Sequence, residues 1–190
     1  MSICIIPARS GSTRIPGKNI KLFHGKPIIA YSIETAKESG LFDQIIVSSD
    51  HTEIIDIAME YGATDYHDRS DEMAANEVGT QEVVKDVLLN LEITKYVCCI
   101  YPTAPLMSVN DLKHGEYVLN DQGYLEYAFS VGINPLCDAG QFYWGWARAF
   151  LDGVPLIDSH TAMIPIAPER VCDINTMDDW ERAERMYESL

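Results

Sequence analysis

Apolar positions follow two alternating rhythms along this chain. Short runs at Ser2–Ala8, Gln44–Ser49 and Tyr96–Tyr101 read as buried strands. Between them apolar residues recur every three to four positions. Ile28, Ile29, Tyr31, Ile33 and Ala36 predict a helix over Lys26–Ser39 that stops at Gly40, and Val83, Val84, Val87, Leu88 and Leu91 predict another over Thr80–Leu91. A helix opens at Asp50-His-Thr-Glu53 and ends near Gly62. After the turn Pro-Thr-Ala-Pro, a helix from about Asn110 to Leu119 precedes a strand over Tyr127–Val131. Gln141–Trp144 and Ala162–Ile166 are shorter strand candidates, and Thr176–Ser189 closes the chain as a helix with Trp180, Ala183, Met186 and Tyr187 inward. Strands alternate with helices through the first 130 residues, so the fold class is α/β: three layers, a doubly wound and mostly parallel sheet with helices on both faces. With 190 residues, 47% of them hydrophobic, the expectation is a single domain over 1–190.

Charge changes this picture in one place. The formal net charge is −15, which argues against nucleic acid or an anionic membrane as partner. Residues 1–33, however, contain no Asp or Glu and carry Arg9, Arg14, Lys18, Lys21 and Lys26. One reading is a solvated basic face; the other is a site for a small anion. Position favours the second, because the basic loop follows the first strand, and in doubly wound sheets ligands sit at the carboxyl ends of strands. The chain has no run of eighteen apolar residues and no cationic leader, and its five cysteines form no C-x-x-C pair, so a soluble, unprocessed protein of a reducing cytoplasm is expected.

The loop reads Pro-Ala-Arg-Ser-Gly-Ser-Thr-Arg-Ile-Pro-Gly-Lys-Asn, residues 7–19. Ser10, Gly11 and Ser12 let backbone N–H groups approach a phosphate, and Arg9 and Lys18 can neutralise its oxygens. The spacing matches neither G-x-x-x-x-G-K-[ST] nor G-x-G-x-x-G, and Pro16-Gly17 also reads as a plain turn.

This loop resembles the A-R-x-G-S-K-R-[IL]-P-x-K-N signature of the cytidylyltransferases that activate nonulosonic acids, the makers of CMP-sialic acid and its relatives. The same order continues through GKPIIAYSIETAKESGLFDQIIVSSD, CCIYPTAPL, DAGQFYWG and CDINTMDDW. The spellings CCIYPTAP and GQFY are similar to the branch acting on pseudaminic acid. The resemblance implies a nucleotide-diphospho-sugar transferase-like (Rossmann-like) fold, CTP and a sugar acid as substrates, and Mg2+ as cofactor. It implies that Arg9 and Lys18 hold the triphosphate, with Asp173 as third member of the catalytic set. Ser10, Gly11, Thr13 and Arg14 complete the loop, Ser12 and Asn19 support it, and Ala8 with the Arg9 backbone lines the base. Asp173 and Asn175 would be the metal site; in an extended segment they project from one face. Asn76, Thr80, Tyr101, Gln141 and Tyr143 are the candidate sugar contacts.

Plainer readings stand beside several of these. Asp173 is also a polar residue at a strand end, and Thr176 with Asp179 forms a capping-box pattern that explains the local polarity by itself. Asp50, a secondary nucleotide-site candidate, heads a D-x-x-E stretch that reads equally as a helix cap. Gln141 and Tyr143 fit a buried strand as well as a pocket. His24, His51, His67, His114 and His160 have no ligand-like spacing.

Four positions depart from the resemblance. Thr13 stands where the loop usually has Lys, removing a charge-assisted contact of about 1.5–3 kcal/mol. Asn175 stands for an Asp and supplies no negative charge to a metal. Asn76 stands where relatives have Asp. From Gly132 to Asp138 the chain takes a handful of residues where relatives carry an arm that closes the sugar pocket and builds a dimer, so a homodimer is placed in question. Three readings follow: a Mg2+-dependent cytidylyltransferase for a nonulosonic or related keto-sugar acid, a non-catalytic nucleotide-binding relative, or a nucleotidyltransferase with another nucleotide or sugar.

Overall fold

The computed structural model describes residues 1–91 and 95–190. The chain opens with β1 (Ser2–Pro7), passes through a 3-10 turn at Lys18–Ile20 and a small antiparallel pair, β2 (Leu22–Phe23) and β3 (Lys26–Pro27), and enters α1 (Ile28–Ser39). Then come β4 (Gln44–Ser49), α2 (Thr52–Tyr61), β5 (Asp65–Asp68), α3 (Thr80–Leu89), β6 (Tyr96–Ile100) and α4 (Val109–Asp121). The last third is β7 (Tyr127–Ile133), β8 (Leu136–Trp146), α5 (Ala147–Asp152), β9 (Thr161–Pro165) and α6 (Met177–Tyr187).

Seven strands form one sheet in the order β5-β4-β1-β6-β8-β7-β9. β1 pairs in parallel with both β4 and β6, and β8 alone runs against its neighbours β6 and β7. The sheet is mostly parallel and doubly wound, as the alternation of elements predicts. Its two faces bury different residues of the same strand: Cys4, Ile6 and Ala8 point into one apolar cluster with Ile29, Ile33, Ile54 and Leu112, whereas Ile3 and Ile5 point into another with Val84, Val87 and Phe150. The first face is covered by α1, α2 and α4, the second by α3 and α5. Fully burying each such aliphatic side chain contributes about 1.5–3 kcal/mol, which makes β1 the rigid centre on which the loop after it is mounted.

Three features escape the sequence pattern. β5 is an edge strand of sequence Asp-Tyr-His-Asp, half-buried at alternate positions and too polar to announce itself. α5 is a six-residue helix inside a stretch without visible period. The strands predicted at Tyr127–Val131 and Gln141–Trp144 are parts of one hairpin, in which Ile133 faces Leu136 across the two-residue turn Asn134-Pro135. The predicted helix over Lys26–Ser39 begins at Ile28, because Lys26 and Pro27 are held in β3 against Leu22 and Phe23 and Pro27 serves as the N-cap.

A third apolar cluster lies outside the sheet. Ile15, from the middle of the basic loop, packs with Phe23, Ile28, Tyr31, Leu106, Cys172, Ile174 and Trp180. One buried isoleucine thus anchors the loop to α1 on one side and to the C-terminal segment on the other.

Candidate active site

Strand order reverses between β1 and β6: from β1 the chain winds outward to β4 and β5, then returns to β6 on the opposite side. Doubly wound sheets hold ligands in the crevice at such a point, outside the carboxyl ends of the strands. Here the loop after β1 and the Tyr101-Pro102-Thr103 turn after β6 line a cavity of about 460 Å3. Gly17, at φ 61°, turns the loop into the 3-10 segment that carries Lys18. Asn19, 6% exposed, donates from Nδ2 to the Arg9 carbonyl at 2.8 Å and holds the loop's two limbs together.

Three cations face this cavity: Arg9, Arg14 and Lys18. The Lys18 ammonium donates to the carbonyl of Ile174 at 2.8 Å, and Arg14 donates from Nη2 to Oδ1 of Asn175 at 2.9 Å, so the first and last portions of the chain meet here. Burial lowers the Lys18 pKa, with Arg14 and Arg9 adding to the effect and Asp173 opposing it. The site is therefore prepared for anionic charge: a polyanion would relieve the repulsion among its cations.

The segment 171–175 follows a 3-10 turn at Pro168–Arg170 and alternates, with Cys172 and Ile174 buried and Asp173 and Asn175 facing the cavity. Thr176 and Asp179 do form a capping box on α6. That cap uses neither Asp173 nor the Asn175 side chain, so the two readings of this polar patch describe different residues. The Asn175 amide bridges two neighbours, its Nδ2 donating to Asp173 and its Oδ1 accepting from Arg14.

Asp138 is the site residue the sequence reading passed over. Because β8 runs antiparallel, its start lies at the edge where the parallel strands end, and Asp138 faces the same cavity as Asp173. It accepts from the Tyr101 hydroxyl at 3.1 Å and from the Gly140 N–H at 2.7 Å. Burial pushes its carboxyl above the ordinary value; those two hydrogen bonds oppose the shift and the charge of Asp173 adds to it. The close fit depends on Gly140: at φ 69°, a Cβ there would lie 2.6 Å from Cα of Asp173. Asp138 opens the quoted stretch DAGQFYWG, but no local signal marks it, because its place at the cavity comes from the antiparallel entry of β8.

The structure gathers Arg9, Ser12, Thr13, Arg14, Lys18, Asn19, Asn76, Thr80, Tyr101, Asp173 and Asn175 around the one cavity. It does not bring the other candidates there. Ala8 is wholly buried, its N–H given to Ser48, and Gly11 stands in open space. Asp50 lies behind the loop and accepts from the Ser10 N–H at 2.7 Å and the Ser10 hydroxyl at 2.6 Å. Burial raises its pKa, but the Ser10 hydrogen bonds and the nearby Arg69 charge outweigh that and hold it below its ordinary value. Asp50 is no helix cap either, since the N-cap of α2 is His51. Gln141 is buried in β8, its Nε2 donating to the Arg170 carbonyl at 2.8 Å while its Oε1 has no hydrogen-bond partner among the described residues, so the amide of the plain strand reading is only half satisfied. Tyr143 lines an adjoining cavity instead.

Residues 3–135 match the family described as Cytidylyltransferase. The chain belongs to this family. A pseudaminic acid cytidylyltransferase of Campylobacter jejuni is 37% identical over 222 aligned positions, spanning 98% of this chain and 96% of the relative. A CMP-N,N'-diacetyllegionaminic acid synthase of Legionella pneumophila is 35% identical over 116 positions, covering 59% of this chain and 50% of the relative. Among solved structures, CMP:2-keto-3-deoxy-manno-octonic acid synthetase complexed with CTP superposes with a TM-score of 0.76 over 100% of this chain and 99% of that one, at 17% identity, a likeness of fold.

This cytidylyltransferase is shorter than its Campylobacter relative: 222 aligned positions against 190 residues require segments that it lacks. The Asn134-Pro135 turn stands where the sequence reading expects a missing arm. Among the described residues no three His, Cys, Asp or Glu side chains form a metal cage, so an ion here would take one or two carboxylates and complete its shell from elsewhere.

Proposed function

We propose that the protein transfers CMP from CTP to a nonulosonic acid of the pseudaminic type and releases pyrophosphate. The observation that carries this reading is the meeting of Arg9, Arg14 and Lys18 with Asp173 at the strand-order reversal, in a chain alignable almost end to end with a pseudaminic acid cytidylyltransferase.

The anomeric hydroxyl oxygen of the sugar bonds to the α-phosphorus of CTP as the bond to the pyrophosphate oxygen breaks; the hydroxyl proton is lost, and CMP-sugar and pyrophosphate result. Such transfers depend on positioning and charge neutralisation more than on covalent help. Arg9, Arg14 and Lys18 bind the triphosphate, while Asn19, Asp50 and Ile15 fix the loop that carries them. The carboxylates of Asp173 and Asp138 fit a hard divalent cation, Mg2+ in this reading. Asn175 serves it indirectly by orienting the Asp173 carboxylate, because its own oxygen belongs to Arg14. When bound, the cation neutralises charge growing on the phosphate oxygens.

The test is pyrophosphate release by the purified protein with Mg2+, CTP and pseudaminic acid, with the CMP-sugar identified by mass. The same assay with UTP or ATP, and with sialic, legionaminic and eight-carbon keto-deoxy acids, fixes both specificities. Turnover with UTP or ATP equal to that with CTP defeats the cytidine assignment, and CTP binding without turnover on any acid defeats the enzymatic one.

A further inference from the structure

Asp173 and Asn175 lie in the segment 171–175, which belongs to no strand or helix. No ladder of backbone hydrogen bonds sets its register, so its position depends on what holds its two ends. We propose that the Asp111–Arg170 ion pair and the Gln141 amide form a brace that sets the upstream end, which makes Asp111 and Gln141 positioning residues for the carboxylate of Asp173. The inference rests on the function proposed above and assigns side chains that act on that site from outside it, since neither Asp111 nor Arg170 lines the cavity.

Three observations converge on it. The downstream end of the segment is tied by the capping box of α6, by the Asn175 N–H donating to Asp179 at 3.1 Å, and by the Lys18 ammonium on the carbonyl of Ile174. Cys172 and Ile174 are buried between the ends, but apolar burial is non-directional and fixes depth rather than register. The upstream end begins at Arg170.

Second, Arg170 is held from two directions. Its Nη2 donates at 2.8 Å to Oδ2 of Asp111, in the first turn of α4, and its carbonyl accepts at 2.8 Å from Nε2 of Gln141, in β8. Because Arg170 Nε and Gln141 Oε1 have no partner among the described residues, these two contacts carry the brace. The side chains of Arg170 and Asp111 are 24% and 17% exposed, and among the described residues no other Lys or Arg ion pair has both partners so far buried. With one partner of such a pair gone, the other charge is left uncompensated and must move toward water.

Third, the anchors are themselves fixed. Asp111 Oδ2 also accepts from the Ser108 hydroxyl at 2.8 Å, and the Asp111 N–H donates to Ser108 Oγ at 3.2 Å, the cap of α4. In β8 the Gln141 carbonyl accepts from the Tyr101 N–H at 2.8 Å, and the Tyr101 hydroxyl donates to Asp138. The frame that places Asp138 therefore also places Asp173.

The experiment compares Asp111→Asn, Arg170→Gln and the double variant with the unmodified protein. Gly40→Ala, altered at the far edge of the sheet where β4 begins, serves as a variant destabilised away from the site. Calorimetric titration with CTP is run in EDTA and in Mg2+. In EDTA the brace variants should bind CTP within twofold of the unmodified protein, because Arg9, Arg14 and Lys18 are untouched. In Mg2+ their Kd should rise about tenfold, the low end of the ~10–100-fold found for groups that orient a metal ligand. The double variant should lose no more than the worse single one, and Gly40→Ala should match the unmodified protein in both conditions. Equal losses in EDTA and Mg2+, no loss in Mg2+, or additive losses in the double variant overturn the inference. Amide exchange of the ligand-free protein reads the brace without any nucleotide: residues 171–175 should exchange faster in Asp111→Asn while β1 stays protected, and unchanged exchange there also overturns it. Neither measurement needs turnover. A Mg2+ response that depends on Asp111 in a protein releasing no pyrophosphate supports the brace while defeating the proposed reaction, and pyrophosphate release with a Mg2+ response indifferent to Asp111 does the reverse.

Discussion

The Lys18 ammonium and the carbonyl of Ile174 meet at 2.8 Å across 156 residues of sequence. This contact joins the basic loop to the segment bearing Asp173 and leaves two of the three ammonium protons for a ligand. Lys18→Met keeps the aliphatic stem and removes the charge. Loss of a charge-assisted contact of about 1.5–3 kcal/mol corresponds to a fall in CTP affinity of about ten- to a hundredfold. Because Ile15 still anchors the loop, the melting temperature should change little. Calorimetric titration with CTP and Mg2+ checks this, and an unaltered Kd would remove Lys18 from the phosphate site.

Gly140 is required by its surroundings as well as by its backbone. Gly140→Ala places a methyl 2.6 Å from the Asp173 Cα in a left-handed conformation, whereas Gly40→Ala, at φ 67° with nothing within 4 Å, meets only the conformational cost. The second should cost about 1–2 kcal/mol and the first more, because backbone must move. At about 2–4 °C per kcal/mol for a chain of this size, the two melting curves separate readily. Only Gly140→Ala should also depress turnover at a temperature where both variants are folded, since it displaces Asp173 from Asp138.

Asn175 sits between opposite demands. Asn175→Asp strengthens the contact with Arg14 but replaces an N–H donated to Asp173 with a second negative charge. Without metal the variant should therefore melt lower than the parent protein. With Mg2+ the added carboxylate favours the cation, so half-maximal pyrophosphate release should need several-fold less Mg2+. Melting with and without Mg2+, beside a Mg2+ titration of activity, reads both effects. A variant that melts higher in EDTA would contradict the amide's bridging role.

How much of this was readable beforehand depends on the range of the interaction. The β1 run, the α1 and α3 periods and the Thr176–Asp179 cap are local, and sequence rhythm finds them. The basic loop announced itself by lacking any acid through residue 33. Asp138 could not be found this way. Asp138 becomes a cavity residue only because β8 enters the sheet antiparallel, a fact carried by pairing with β6 and not by its own neighbours. Asp50 failed in the opposite sense: its D-x-x-E pattern is local, but Ser10, 40 residues earlier, claims the carboxylate.

The brace behind the loop gives stability a pH dependence of defined sign. His67, on β5, has Nδ1 3.1 Å from the Ser48 hydroxyl and Nε2 3.4 Å from Asp86. Burial lowers its pKa below 6.5, Asp86 opposing and Arg69 adding to the shift. Well above pH 6.5 the ring is neutral in folded and unfolded chains alike and contributes no pH dependence. As pH falls through 6.5 the unfolded chain takes up a proton that the folded one resists, so stability declines until the folded pKa is reached. His67→Gln removes the titration. The melting temperature of the unmodified protein minus that of His67→Gln should stay constant from pH 8 to 7 and fall as the solution is acidified toward pH 5. If the difference instead grows on acidification, attraction to Asp86 outweighs burial. Because Ser48 also accepts from Nε of the Arg69 guanidinium, whose charge acts on Asp50, the acid-induced loss should appear first as faster amide exchange around residues 48–50 and 65–69, the edge that supports the loop through Ser10.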